Sequence, residues 1–141
     1  MTRPGTPALA AGLRPALETA SPGTAAAQKK APPGGAYKEV STLVPLPNYL
    51  PGLGTLYVDP ATLPAGPFLA YDHQGSLVSS IYMIPLKDLD AHKAFTDLKT
   101  AHEPVDHVEI VYNAGHPGVA EPHYHMIVWY VSAQRAASLA K

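Results

Sequence analysis

The sequence has no cysteine among its 141 residues. This absence excludes disulfide bridges, thiolate nucleophiles and cysteine-ligated zinc sites together. Any metal site in the chain must therefore do without thiolate ligands.

Charge and long apolar runs are also scarce. Charged residues make up 15% of the chain, the net charge is -1 at pH 7, and there is no basic cluster, so the sequence lacks the features that attract nucleic acids or anionic membranes. No apolar run approaches the roughly 18 residues that a spanning helix needs. We expect no nucleic-acid partner and no membrane insertion. The cytoplasm is the default location, and an export signal upstream of this start would make the protein extracytoplasmic.

The sequence motifs of several enzyme classes are missing. The chain has no P-loop, no G-x-G-x-x-G dinucleotide fingerprint and no G-x-S-x-G nucleophile elbow. Its acidic residues are scattered, which does not favour the paired carboxylates of glycoside hydrolases. The sequence therefore names no reaction and no catalytic residue.

Composition divides the chain in two. Residues 1–36 are rich in Ala, Pro, Gly and Thr, which is typical of a low-complexity arm or linker. The alternative is an arm that packs on a neighbouring subunit. Residues 37–141 are predicted to form a single α+β domain.

Strands outnumber helices in the predicted domain. We predict strands over 37–44 and 55–58, a hairpin of 68–72 and 76–84, and one principal helix over 88–98. The strand over 76–84 carries bulky apolar groups on both faces, which favours a central position. The expected fold class is α+β, with a mainly antiparallel sheet, one principal helix and the Ala/Pro-rich N-terminal arm.

Four of the seven histidines lie near the C-terminus, in two predicted strands joined by a Gly/Pro loop. Because side chains alternate along a strand, His107 and Glu109 share one face of the first strand, and His123 and His125 share one face of the second. Antiparallel pairing would bring cross-strand neighbours within about 5 Å, with His116 arriving from the loop. Imidazole and carboxylate groups suit Zn, Fe, Cu or Ni, so all five residues are predicted ligands of a divalent metal.

A structural role is the alternative for the same residues. Histidines also occur on solvated strand faces, where Glu109 can pair with one of them. If the site were catalytic, a metal would polarise a bound water or substrate oxygen, with Glu109 as the nearest base. The interpretation favours a protein without catalysis. Trp129 is predicted to lie in the core or to anchor an interface.

The histidine hairpin resembles a sequence block of a bacterial family of unknown function that has a ring-forming Thermus member. The matching residues are Asp106-His107-Val108, Asn113, Gly115-His116-Pro117-Gly118-Val119 and Pro122-His123. The resemblance covers about residues 37–132 and implies a self-assembling protein, in the form of a closed ring, with ties to envelope stress. The chain departs from the family where His125 and Ile127 replace an Asp and a His, and its loop before His123 is shorter.

Two functions follow as hypotheses. The first is a homo-oligomeric protein that binds a divalent metal or a small ligand through the histidine hairpin. The second is a non-catalytic, ring-type assembly protein in which the histidines are structural or interfacial.

Overall fold

The computed structural model describes residues 28–141. In this range the chain forms an antiparallel sheet of six strands, in the order β1-β2-β3-β4-β6-β5. The strands are β1 (Lys38–Glu39), β2 (Thr55–Val58), β3 (Phe68–Tyr71), β4 (Leu77–Pro85), β5 (His107–Asn113) and β6 (His123–Trp129), and the α-helices are α1 (Leu86–Asp90) and α2 (Ala133–Ala137). Short 3-10 helices occupy Val40–Thr42, Pro60–Thr62 and Ser138–Ala140. The predicted α+β class with a mainly antiparallel sheet is confirmed.

Most of the predicted arm, residues 1–36, lies outside the described residues. The part of this stretch that the structure describes begins at residue 28 and lies against the turn between β3 and β4. The Ala31 amide donates to the Gly75 carbonyl at 2.9 Å, and Lys30 Nζ donates to Ser76 Oγ at 2.9 Å. This end of the predicted arm therefore contacts the folded domain.

Strand β4 is central, as its two apolar faces predicted. It lies between β3 and β6, and Val78, Ser79 and Tyr82 along it are almost completely buried. The turn before it uses Gly75 at φ 77°, a conformation that glycine adopts without steric cost.

The main core lies on one face of this sheet. The chain between β1 and β2 and the C-terminal turn cover that face, since burying its apolar side chains needs a second layer. The core residues are Val40, Val58, Phe68, Ala70, Val78, Ile81, Met83, Ile127, Trp129 and Leu139. The predicted core position of Trp129 is confirmed. No helix in residues 28–141 combines the length and apolar character needed to cross a membrane.

The predicted extent of the principal helix, 88–98, is wrong. The helix α1 ends at Asp90, and His92 then takes φ 61°, outside the helical region. The chain beyond crosses the other face of the sheet. There Tyr82 donates its hydroxyl hydrogen to the Lys99 carbonyl, and the fully buried Ala101 donates its amide to the Tyr130 hydroxyl at 3.2 Å. These contacts fix the chain just beyond the predicted helix on the sheet.

The predicted strand over 37–44 is also too long. Its ladder stops at Glu39, and a 3-10 helix follows because the amides of Leu43 and Val44 donate to the Val40 carbonyl. Thr42 Oγ1 donates to the Glu39 carbonyl at 2.6 Å, a local side-chain bond that competes with strand pairing.

Candidate metal centre

The histidine hairpin forms as predicted, and its register decides which residues meet. Strands β5 and β6 pair antiparallel, with Asn113 opposite His123 and His107 opposite Trp129. His107 therefore lies six positions along the ladder from the cross-strand partner of His123, which is roughly 20 Å of strand.

His107 and Glu109 do not reach the other predicted ligands. Glu109 accepts a hydrogen bond from Trp129 Nε1 at 2.7 Å. His107 stacks on the Trp129 ring at 5.9 Å between centroids, and its Nδ1 lies 2.9 Å from Asp106 Oδ1. Convergence of all five predicted residues is therefore not observed.

The remaining three predicted residues, His116, His123 and His125, come together. The Nε2 atom of His123 lies 3.1 Å from that of His116 and 3.0 Å from that of His125. One nitrogen from each ring lies within 4.8 Å of the others, so the group could hold a metal ion. Cross-strand pairing places His125 beside Met83 and the fully buried His123 beside Pro85, on the core face of the sheet.

A tight turn brings His116 to this centre. The amides and carbonyls of His116 and Val119 bond each other at 2.9 Å in both directions. Between them lie Pro117 and Gly118, with Gly118 at φ 92°, the arrangement of a type II turn. A Cβ atom at Gly115 would lie 2.3 Å from the Ala120 carbonyl oxygen, so this loop cannot close with a larger residue there.

Main-chain carbonyls fix the tautomers of two of these rings. His123 Nδ1 lies 2.8 Å from the Glu121 carbonyl oxygen, and His116 Nδ1 lies 3.0 Å from the Pro117 carbonyl oxygen. Because a carbonyl oxygen only accepts, both Nδ1 atoms carry the hydrogen, and in the neutral rings both Nε2 atoms present lone pairs. Two lone pairs therefore face each other across 3.1 Å.

The His125 ring is neutral at pH 7. Burial, followed by the neighbouring His123 and His116, lowers the pKa of His125 to about 4. At pH 7 its imidazole is therefore uncharged, which is the form that ligates a metal.

An apolar pocket of about 330 Å³ adjoins the three histidines. Its walls come from the chain between β1 and β3, from the sheet, and from the turn at Pro117. The lining residues are Val40, Leu43, Val44, Leu46, Leu50, Pro51, Leu53, Leu56, Val58, Leu63, Phe68, Ile81, Met83, Asn113, His116, Pro117, Gly118, Val119 and His125.

Sequence reasoning missed this pocket and the contribution of Asn113 to it. Part of the pocket wall between β1 and β2 falls in the stretch 45–54, for which no element was predicted. Its signal was the spacing of Leu43, Leu46, Leu50 and Leu53, three or four residues apart, which indicates one apolar face on a compact segment.

Fold and site together define a small α+β protein with a candidate three-histidine metal centre. No protein-family model matches the chain, and no curated protein matches it. Among solved structures, a hypothetical protein from Thermus thermophilus, TTHB210, is 46% identical to this chain over 67% of it and 93% of the Thermus chain, with a TM-score of 0.62. The chain belongs to the same family as this Thermus protein, in agreement with the predicted resemblance to a family with a Thermus member.

Proposed function

We propose that the protein binds one divalent transition-metal ion through the Nε2 atoms of His116, His123 and His125. The observation that carries this proposal is the pair of lone pairs that face each other between His116 and His123. A cation between them removes the conflict, because both nitrogens then donate to it. Two nitrogens at about 2.0–2.1 Å from one ion lie roughly 2.9–3.4 Å apart at common coordination angles, and the two short distances here are 3.0 and 3.1 Å.

Three protein ligands leave a coordination position for an external ligand, as in metal sites that bind or activate small molecules. His116 and His125 also line the apolar pocket, which gives that ligand a place to lie. Glu109, the base that a catalytic role would need, is hydrogen-bonded to Trp129 instead. Binding of a metal and a small ligand is therefore the function that we propose, with Zn, Fe, Cu and Ni as candidate ions.

Metal titration of the full chain tests this proposal. Chelator-stripped protein is titrated with Co²⁺, the visible absorption is followed, and elemental analysis gives the stoichiometry. We expect one ion per chain. We expect His125→Gln and His116→Gln to weaken binding by on the order of 100-fold, because each removes a direct ligand.

His107→Gln is the matched control, since His107 lies on the same hairpin but outside the centre. It should bind Co²⁺ as the wild type does. The proposal is wrong if stripped protein takes up no metal and its melting temperature ignores chelators, or if His107→Gln loses as much affinity as His125→Gln.

A second candidate function is self-assembly, and the exposed face of β5 favours it. This strand is at an edge of the sheet, and Val108, Ile110 and Tyr112 on it are 52%, 65% and 51% exposed. Soluble proteins rarely leave a long apolar edge strand uncovered. A ring would require a heterologous interface at this surface. Light scattering tests the idea, and a monomer at micromolar concentration would contradict it.

A further inference from the structure

We propose that the histidine centre and the apolar pocket together bind one aliphatic monocarboxylate, with the carboxylate on the metal and the tail in the pocket. This inference rests on the metal site proposed above and adds the chemical class of its ligand.

The dimensions of the pocket suit a small molecule. Its volume of about 330 Å³ is at the lower end of ligand pockets, which hold about 300–1,000 Å³. At about 30 Å³ per non-hydrogen atom, the share of a water molecule in the liquid, the pocket takes on the order of ten such atoms. A chain of seven or eight carbons with a carboxylate has this size.

Polarity in the pocket is confined to one end. Leu, Val, Pro, Phe, Ile and Met side chains form most of the wall, and the polar side chains are those of His116, His125 and Asn113. The side-chain Oδ1 of Asn113 accepts the Gly115 amide at 2.8 Å, which leaves the side-chain Nδ2 hydrogens of Asn113 to donate to a ligand oxygen. A ligand that fits must therefore have a polar head at the histidines and an apolar remainder.

The charge of the bound metal ion determines the kind of polar head group that the ligand must have. Imidazole ligands are neutral, so they do not offset the 2+ charge of a bound divalent ion. The group of possible ligands found among residues 28–141 consists of three histidines and contains no carboxylate. A divalent charge beside an apolar cavity is costly unless an anion accompanies it. A carboxylate supplies that anion through an oxygen that divalent transition metals accept.

The turn that carries His116 is packed directly on the pocket wall. A Cβ atom at Gly118 would lie 2.8 Å from Val44 Cγ1, so the backbone of the turn lies directly against the Val44 side chain. The metal centre and the pocket therefore share a wall, and one molecule can contact both.

Octanoate is the probe, and acetate is its matched control, because it has the same head and no tail. Both are titrated into Co²⁺-loaded full-length protein, with cobalt absorption reporting ligation and calorimetry reporting affinity. Each buried methylene tightens binding roughly fourfold, so burying four of the six extra methylenes should make octanoate on the order of 100-fold tighter than acetate. Octanoate should bind the metal-free protein at least about tenfold more weakly than it binds the Co²⁺-loaded protein.

Leu46→Trp fills the pocket from its lining and leaves the three histidines in place. It should lower octanoate affinity at least about tenfold while acetate and Co²⁺ affinities stay as in the wild type. Val105→Trp is the control, because Val105 is 52% exposed and outside the pocket. Leu50→Trp, also in the lining, replaces Leu46→Trp if that variant does not fold.

The outcomes separate this inference from the proposed metal site. If Co²⁺ binds but octanoate and acetate have equal affinities, the inference is wrong and the metal site stands. The inference is also wrong, and the metal site stands, if octanoate binds equally well with and without Co²⁺. If no Co²⁺ binds, the metal site fails and the inference fails with it.

Discussion

Main-chain carbonyls, rather than side chains, orient two residues of the metal centre. His123 and His116 each give their Nδ1 hydrogen to a carbonyl oxygen, of Glu121 and Pro117 respectively. Such outer contacts normally set the tautomer and the direction of a ligating histidine. Here a substitution of the Glu121 side chain leaves the acceptor in place, since the acceptor is a backbone atom. The direction of both Nε2 atoms therefore depends on the conformation of the loop that carries these carbonyls.

Another buried polar residue, Asp72, predicts an acid-dependent stability. Burial opposes ionisation of Asp72, but hydrogen bonds from the Ser76 amide, Arg135 and the Gln74 amide outweigh it and hold the pKa of Asp72 below its ordinary value of 3.8. The unfolded chain therefore takes up the proton first as pH falls. The stabilisation is complete above pH 3.8 and is lost as pH falls through the lower pKa of the folded state.

Asp72→Asn should reduce the free energy of unfolding by about 1 kcal/mol at pH 7, a value discounted because the Arg135 side chain is about half exposed. The difference from wild type should shrink below pH 4, and urea denaturation at pH 7, 5 and 3 measures it. Asp90→Asn is the control, since Asp90 is exposed and its substitution should change stability by less than about 0.5 kcal/mol. A difference that persists unchanged at pH 3 would contradict the argument.

The next prediction concerns Gly118, in the turn between β5 and β6. Gly118 combines φ 92° with a Cβ position 2.8 Å from Val44 Cγ1. Gly52 has a similar φ of 87° and no atom within 4 Å of its Cβ position, so it isolates the backbone effect. We expect Gly52→Ala to cost about 1 kcal/mol and Gly118→Ala about 1 kcal/mol more.

Gly118→Ala should also weaken Co²⁺ binding, because the displaced turn moves His116. Gly52→Ala should leave metal affinity unchanged. Chemical denaturation and cobalt titration of both variants give the two quantities. Equal stability losses, or equal metal affinities, would show that the contact with Val44 does not position the turn.

At the level of elements, alternation along the two hairpin strands was enough to predict which side chains share a face. It was not enough to predict which of them meet. In an antiparallel hairpin, residues at equal distances from the loop pair with each other, so His107, six positions before Asn113, lies opposite Trp129 rather than His123. Counting from the loop would have separated His107 and Glu109 from the centre.

The extent of α1 illustrates what sequence could not supply. The spacing of Leu89, Phe95 and Leu98 is compatible with a helix, but the decisive contacts are tertiary. Tyr82 in β4 and Tyr130, directly after β6, bond the backbone at Lys99 and Ala101, and nothing near 88–98 in the sequence signals them. Tertiary contacts of this kind override weak helix propensity.

For the whole molecule, the two edges of the sheet differ. The edge strand β1 has two residues, which leaves few unpaired backbone groups. The other edge, β5, has seven residues and an exposed apolar row, and the Glu109 carboxylate is engaged by Trp129. Proteins protect edges with short strands or charged side chains. The β1 edge has this protection and the β5 edge lacks it, which supports the proposal of contact between copies through β5.

Ile110→Lys tests that contact without touching the metal centre, because Ile110 lies on the opposite face of β5 from Val111, the cross-strand partner of His125. A lysine there must be desolvated at any apolar interface, so light scattering should show a smaller species, with unchanged circular dichroism and Co²⁺ affinity. Val105→Lys, at an equally apolar exposed position before β5, should assemble as the wild type does. If Ile110→Lys assembles normally, the copies meet elsewhere, because a buried unpaired charge at the interface would otherwise weaken the assembly.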